Sequence, residues 1–260
     1  MPWQGGRRET CATGTIPGGG SVMRGGLSLM AMLLGCGSPS NPTSVPAGDG
    51  DALRREAMVR EQIAARGVED ARVLDAMRKV PRHLFVPDQL RAHAYRDHPL
   101  PIGHDQTISQ PYIVAVMTEA LHLRGDETVL EVGTGSGYQA AVLAELVRRV
   151  YSIEIVEPLA ASAARTLRAA GYTNVEVRAG DGYAGWPAHA PFDAVLVTAA
   201  PDHVPEPLLD QLRIGGRMVL PIGRGFQDLI VIEKGASGLT RRSLLPVTFV
   251  PMTGEATSKR

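Results

Sequence analysis

The apolar positions of the chain change period twice. Leu53, Ala57, Val59 and Ile63 recur near helical spacing, and Gly67 follows as a C-terminal stop, so the pattern predicts a helix there. A second short helix is predicted from Asp70, carrying Val73, Leu74 and Met77 and ending before Pro81. From Pro81 to Gln110 no period holds and prolines recur at Pro87, Pro99 and Pro101. An aperiodic stretch of that length within a compact domain is expected to be an ordered, functional loop. Tyr112–Leu121 then reads as an apolar helix.

Beyond it, strand and helix alternate. Strands are predicted at Thr128–Val132, Val150–Ile155, Asn174–Arg178, Phe192–Thr198 and Gly216–Pro221, with Asp228–Glu233 and Arg242–Phe249 closing the domain. Helices are predicted at Gly137–Val147, Pro158–Ala170 and Pro205–Leu212; the second has proline in its first turn and Gly171 at its end. Phe192–Thr198 is nearly continuous in apolar residues, as a strand covered on both faces requires. The alternation predicts an α/β fold: a Rossmann-like, doubly wound, mostly parallel sheet with an N-terminal helical and loop addition, to which the family resemblance given below assigns substrate binding. No internal repeat is present.

Residues 1–50 break this regularity. Gly18–Gly20 and Ser38–Gly50 are rich in Gly, Pro and Ser, which predicts a disordered leader ahead of a domain over residues 51–260. Within the leader, Arg24, an apolar run from Leu27 to Leu34, Gly35 and Cys36 resemble a bacterial lipoprotein signal starting at Met23. The run is too short to span a bilayer as a helix. Two readings stand. Either this is an upstream extension of a cytoplasmic protein, or Met23 is the true start and the chain is exported and tethered through Cys36.

Composition narrows the chemistry. Twenty-seven basic and 27 acidic residues cancel, and no long Lys/Arg run occurs, so nucleic acid is not an expected partner. The two cysteines, Cys11 and Cys36, precede the domain and give it neither a disulfide framework nor a zinc spacing. The seven histidines form no metal-ligand pair, and no metal is expected.

The strongest motif is Val129-Leu130-Glu131-Val132-Gly133-Thr134-Gly135-Ser136-Gly137-Tyr138, which leaves a strand and enters a helix. Glycines suit a sharp turn where a ligand meets the main chain, and the helix start offers unpaired N–H groups. A dinucleotide fingerprint needs glycine at 138, where this chain has Tyr, so a dehydrogenase is the lesser reading. Glu131 suits a cofactor bearing an ammonium and a sulfonium. Glu154 ends the second strand, where a carboxylate accepts from both ribose hydroxyls, and Asp181 and Gly182 after the third strand suit an adenine ring.

Residues 131–182 resemble a class I S-adenosylmethionine-dependent methyltransferase. A narrower resemblance, to the protein-L-isoaspartate O-methyltransferase family, is carried by Val80-Pro81-Arg82-His83-Leu84-Phe85-Val86-Pro87, Thr107-Ile108-Ser109-Gln110-Pro111 and Val197-Thr198-Ala199-Ala200-Pro201, and runs from about Leu53 to Pro251. It implies S-adenosyl-L-methionine as cofactor, held by Glu131, Gly133, Thr134, Gly135, Ser136, Gly137, Glu154, Asp181 and Gly182. It implies Ser109 as the active-site group, with Thr107, Ile108, Gln110, Val197, Thr198 and Ala199 holding the carboxylate of an isoaspartyl residue in a damaged protein or peptide. The expected enzyme is a monomer without a stable protein partner. Ser109 has an alternative reading as the cap of the following helix, His104 reads as a loop histidine, and Phe85 and Tyr95 as packing residues that seat the loop. A methyltransferase of the same fold acting on a small molecule or another acceptor is the alternative.

Overall fold

The computed structural model describes residues 47–258. The readings placed on the leader before Ala47, including Met23, Cys11 and Cys36, lie outside the described residues. Helix α1 (Ala47–Ala57) begins four residues inside the segment read as leader and continues as a π-helical turn, Met58–Ile63. The wider π turn brings residues five apart onto one face, which is how Met58 and Ile63 are both fully buried. Leu53, expected on the apolar face, is instead 71% exposed. Gly67 terminates the segment in the left-handed conformation expected of a C-terminal glycine, at φ +92°.

Helix α2 (Ala71–Lys79) starts where Asp70 predicts. The Asp70 carboxylate accepts from the Arg72 N–H at 2.8 Å and the Val73 N–H at 3.4 Å, pairing two donors that a first turn otherwise leaves open. The stretch to Gln110 is ordered, as expected, but it is not simply a loop. It holds 3-10 turns at Arg82–Phe85 and Asp88–His93, then an antiparallel hairpin of β1 (Leu100–Gly103) and β2 (Gln106–Ile108). The hairpin turns at His104 and Asp105, with φ of +54° and +56°. Such turns are usually announced by Asn-Gly or Asp-Gly; His-Asp gave no such signal. Helix α3 (Pro111–Ala120) follows directly.

The main sheet has seven strands in the order β5-β4-β3-β6-β7-β8-β9. Strands β3 (Thr128–Val132), β4 (Arg149–Glu154), β5 (Val175–Ala179), β6 (Phe192–Val197) and β7 (Leu212–Ile222) pair in parallel. Strands β8 (Gln227–Gly235) and β9 (Gly238–Val247) close the sheet antiparallel. The doubly wound, mostly parallel prediction therefore holds. Helices α4 (Tyr138–Ala144), α5 (Glu157–Ala169) and α6 (Glu206–Asp210) make the crossovers. α4 ends three residues short of its prediction, and β7 begins four residues earlier than predicted, through an irregular start where Gly216 lies against the Asp193 carbonyl.

Alternate residues of the central strands serve two cores. Val129, Val150, Leu196 and Val219 pack with residues of α2 to α5, while Leu130, Ile153, Val195 and Met218 pack with Trp186, Leu208 and the C-terminal Met252 and Ala256. Chain order reverses between β3 and β6, and the carboxyl ends of strands at such a switch point open a crevice suited to a ligand.

Candidate active site

The glycine loop leaves β3 at that crevice with positive φ at Gly133 (+98°), Gly135 (+55°) and Gly137 (+92°). A Cβ on Gly133 would lie 2.3 Å from the Thr198 hydroxyl, and one on Gly182 would lie 2.3 Å from Val132 Cγ1. Glycine is therefore required at both places by contacts between strand ends, in addition to any contact with a ligand. Tyr138 turns inward: it is 1% exposed and packs edge-on against Phe85.

Glu154 ends β4 with its side chain at the loop. One carboxylate oxygen accepts from the Gly135 N–H at 2.7 Å and the other from the Val156 N–H at 2.9 Å. A carboxylate has about four acceptor sites, so two bonds leave capacity for ribose hydroxyls. Asp181 accepts from the Tyr183 N–H at 2.9 Å and, with its other oxygen, from the Glu255 N–H at 2.7 Å. The C-terminal segment is thus tied to the strand end that sequence reasoning assigned to an adenine. Gly133, Gly135, Glu154, Asp181, Gly182, Thr198 and Ala199 all line one hollow of about 70 Å³, with Val250–Thr253 as its far wall.

Glu131 and Thr134 lie beneath this hollow and do not line it. Glu131 is fully buried, accepts from the Ser152 hydroxyl and has one carboxylate oxygen with no partner; Ser152 in turn meets the Thr134 hydroxyl at 2.5 Å. Burial pushes the Glu131 carboxyl up to about 8, against the lowering effect of Ser152 and with a smaller push from Glu154. The spare acceptor sites of Glu154 and the three-glycine turn suit a ligand carrying a ribose. The residues present fit the expected cofactor.

The opposite side of Thr198 is wider. A cleft of about 680 Å³ is lined by Thr107, Ser109, Gln110, Ile113 and Thr198, and by a wall from two distant segments, Gly225–Asp228 and Pro246–Val250. A third hollow of about 40 Å³ joins the two sides and holds Thr107, Ile108, Ser109, Thr134, Ser136 and Thr198. Thr107 and Thr198 line all three. Val197, by contrast, is fully buried in the core below and Gly137 lines none of the three, so these two predicted residues act only through the backbone they position.

The hydroxyls at this junction differ. Thr198 is committed inward, to the Gly133 carbonyl at 2.6 Å and the Val132 carbonyl at 3.1 Å. Ser109 and Thr107 make no side-chain hydrogen bond to the described residues. Ser109 is not the cap of α3: Gln110 occupies that position, without a side-chain cap bond, and its amide nitrogen donates to the Asp97 carbonyl at 3.2 Å. His104 is exposed at the hairpin tip, whereas Tyr95 is 5% exposed and bonded to His83, so both take the packing or loop roles expected of them. The wall of the cleft was missed. It includes Phe226, 99% exposed on the β7–β8 connection; a lone aromatic in a Gly-rich turn carries no signal that it faces residues more than a hundred positions away.

Comparison with known proteins agrees with this geometry. The family model described as Protein-L-isoaspartate(D-aspartate) O-methyltransferase matches residues 53–257. The chain is 60% identical over 219 residues to a protein-L-isoaspartate O-methyltransferase of Synechococcus sp., covering 81% of this chain and 90% of that protein. It is 62% identical over 188 residues to a second such protein from Syntrophobacter fumaroxidans, covering 71% and 76%. A solved protein-L-isoaspartate O-methyltransferase superposes with a TM-score of 0.71 at 30% identity, over 78% of this chain and 67% of that one. A Plasmodium falciparum chain, described as a beta-aspartate methyltransferase in complex with S-adenosyl-L-homocysteine, shares the fold with a TM-score of 0.68 at 24% identity, over 76% and 98%.

Proposed function

Because the chain belongs to the protein-L-isoaspartate(D-aspartate) O-methyltransferase family, we propose that its Thr107–Gln110 segment holds the free carboxylate of an isoaspartyl residue against the glycine loop. The enzyme transfers a methyl group from S-adenosyl-L-methionine to that carboxylate in damaged proteins and peptides, which initiates their repair. When bound, the cofactor supplies a methyl group on a positively charged sulfur. Gly133, Gly135, Glu154, Asp181 and Gly182 are the residues to hold it, with Glu131, Thr134, Ser136 and Gly137 shaping the loop around them.

The chemistry asks for placement more than for proton transfer. A carboxylate with a pKa near 4 is already ionised at neutral pH, so no general base is needed. Ser109 and Thr107 donate hydrogen bonds to the carboxylate, and Thr198 keeps the loop and β6 in register beside it. Orienting two bound reactants contributes on the order of 7–11 kcal/mol to such a displacement. The observation that carries this assignment is the pair of uncommitted hydroxyls, Ser109 and Thr107, at the junction of the two hollows. The wide cleft beyond them accommodates residues flanking the damaged site.

The chain works as a monomer, without nucleic acid or a stable protein partner. It works in the cytoplasm, where its donor is made, and its domain is residues 51–260 with α1 reaching back to Ala47. Among the described residues no helix is long and apolar enough to cross a membrane. Transfer of labelled methyl to an isoaspartyl peptide, but not to its normal aspartyl counterpart, with the product identified as a methyl ester, is the expected result. Equal labelling of both peptides, or of neither, contradicts the reading.

A further inference from the structure

Arg82 is 0% exposed, yet no described residue balances its charge. Its Nε donates to the Ala94 carbonyl at 2.8 Å and its Nη2 to the Ser109 carbonyl at 2.7 Å. Its Nη1 is buried with no hydrogen-bond partner of normal geometry, the Tyr138 phenol lying beside the guanidinium. The guanidinium carbon stands 4.7 Å from the ring centroid of Tyr138, the first residue of α4. No carboxylate among the described residues pairs with it. Burial lowers its pKa to about 10, and the groups that oppose the shift are the phenols of Tyr138 and Tyr95, so it is cationic at neutral pH.

A buried cation without an anion costs several kcal/mol, and a buried donor left unpaired calls for a physical reason. A structural strap to a carbonyl needs no net charge; a neutral amide could tie one of the two. What this position has in addition is its location. The carbonyl that Nη2 grips belongs to the peptide joining Ser109 to Gln110, and both residues line the wide cleft. A carbonyl that accepts from a cation polarises its peptide unit and makes the N–H on the other side a stronger donor.

We propose that Arg82 is a positioning residue that makes the cleft selective for an anion: its uncompensated charge, transmitted through the Ser109–Gln110 peptide, favours the ionised isoaspartyl carboxylate over its neutral amide counterpart. The inference rests on the carboxyl-methyl transfer described above. It also fixes a sign. Methylation neutralises the carboxylate, so the interaction weakens as the reaction proceeds. It lowers KM with little effect on kcat, and lets the neutral ester leave.

The test measures binding of an isoaspartyl peptide and the matching isoasparaginyl peptide to the enzyme saturated with S-adenosyl-L-homocysteine. Arg82→Gln, which can still donate to a carbonyl, should lose about tenfold of the preference for the charged peptide, the order of one hydrogen bond to an ion. In turnover its KM for the isoaspartyl peptide should rise while kcat stays within about twofold. Arg82→Lys should keep the preference. Equal weakening of both peptides in Arg82→Gln, an unchanged preference there, or its loss in Arg82→Lys overturns the proposal. Should Arg82→Gln not fold, the wild-type Arg82 Nε resonance, identified by its loss in Arg82→Lys, is expected to shift with the isoaspartyl peptide and not with the isoasparaginyl one; no difference between the two overturns it equally. A wild-type enzyme that fails to methylate the isoaspartyl peptide contradicts the function instead, and leaves the charge assignment to be judged by the binding ratio alone.

Discussion

Two sides of one threonine are built on opposite principles. On the cofactor side of Thr198, a hollow of about 70 Å³ is walled by strand ends whose polar groups are paired within the chain. Glu154 is bonded to Gly135 and Val156, and Asp181 to Tyr183 and Glu255. On the substrate side, a cleft of about 680 Å³ presents the Ser109 and Thr107 hydroxyls, which bond to no described residue. The first hollow is much the narrower of the two. Val250–Thr253 forms one wall of the narrow hollow and is tied to Asp181 through Glu255; strand ends and the hairpin residues Gln106 and Thr107 form the rest. A tight, internally bonded site suits one invariant small molecule. A wide one with free donors suits a damaged residue flanked by any sequence.

Substitutions can break this contrast. Gly133→Val should have the largest effect, because Gly133 serves both sides. The new side chain would collide with Thr198 and stand at φ +98°, and kcat/KM should fall by at least about a hundredfold, with cofactor-product affinity lost by calorimetry. Retained affinity would mean the loop has more slack than its contacts suggest. Glu154→Ala acts on the tight side alone: KM for the donor should rise about 10–100-fold, as expected for lost hydrogen bonds to an ionised group, with the peptide KM little changed. A matching rise in peptide KM would show that the two sides are not separable.

The two sides also differ in how far they could be read from the sequence. The cofactor side is local. A strand, a three-glycine turn and a helix start lie within ten residues, and Glu154 and Asp181 follow at intervals set by one crossover each, so periodicity and spacing point to these residues, which the structure brings to one hollow. Asp70, Gly67 and Gly171 were legible for the same reason, being caps whose partners are a few residues away. The substrate side is assembled from segments that the sheet brings together, Thr107–Gln110 with Gly225–Asp228 and Pro246–Val250. No pattern within a window could join them. The β1–β2 hairpin was hidden by its His-Asp turn, and the burial of Glu131 by a motif that places an acid at the loop without saying which way it points. The burial of Arg82 was hidden too, since a charged residue between Pro81 and His83 gives no sign of it.

Smaller effects sharpen the comparison. Thr107→Ala should lower kcat/KM for an isoaspartyl peptide about 10-fold, the lower end for one hydrogen bond to an ionised group, and leave donor affinity unchanged. A change in donor affinity instead would move Thr107 to the other side of the divide. The least effect on turnover, and a clear one on stability, is expected at Glu131. Its carboxyl titrates at about 8 in the folded protein against 4.5 ordinarily. Between those values the folded chain keeps a proton that the unfolded chain has released, so stability falls as pH rises through the window, by up to about 1.4 kcal/mol per pH unit. Chemical denaturation from pH 5 to pH 8 should show that slope in the wild type and a flatter one in Glu131→Gln. An identical slope in both would place the titration elsewhere.

The claim on which the rest depends is that Ser109 belongs to the substrate side and to nothing else. Steady-state kinetics of Ser109→Ala on an isoaspartyl peptide, with calorimetry of S-adenosyl-L-homocysteine on the same preparation, tests it most directly. A loss of about 10–100-fold in kcat/KM with cofactor-product affinity within about twofold of wild type is the predicted result. Wild-type kcat/KM, or an equal loss in both measurements, would contradict it.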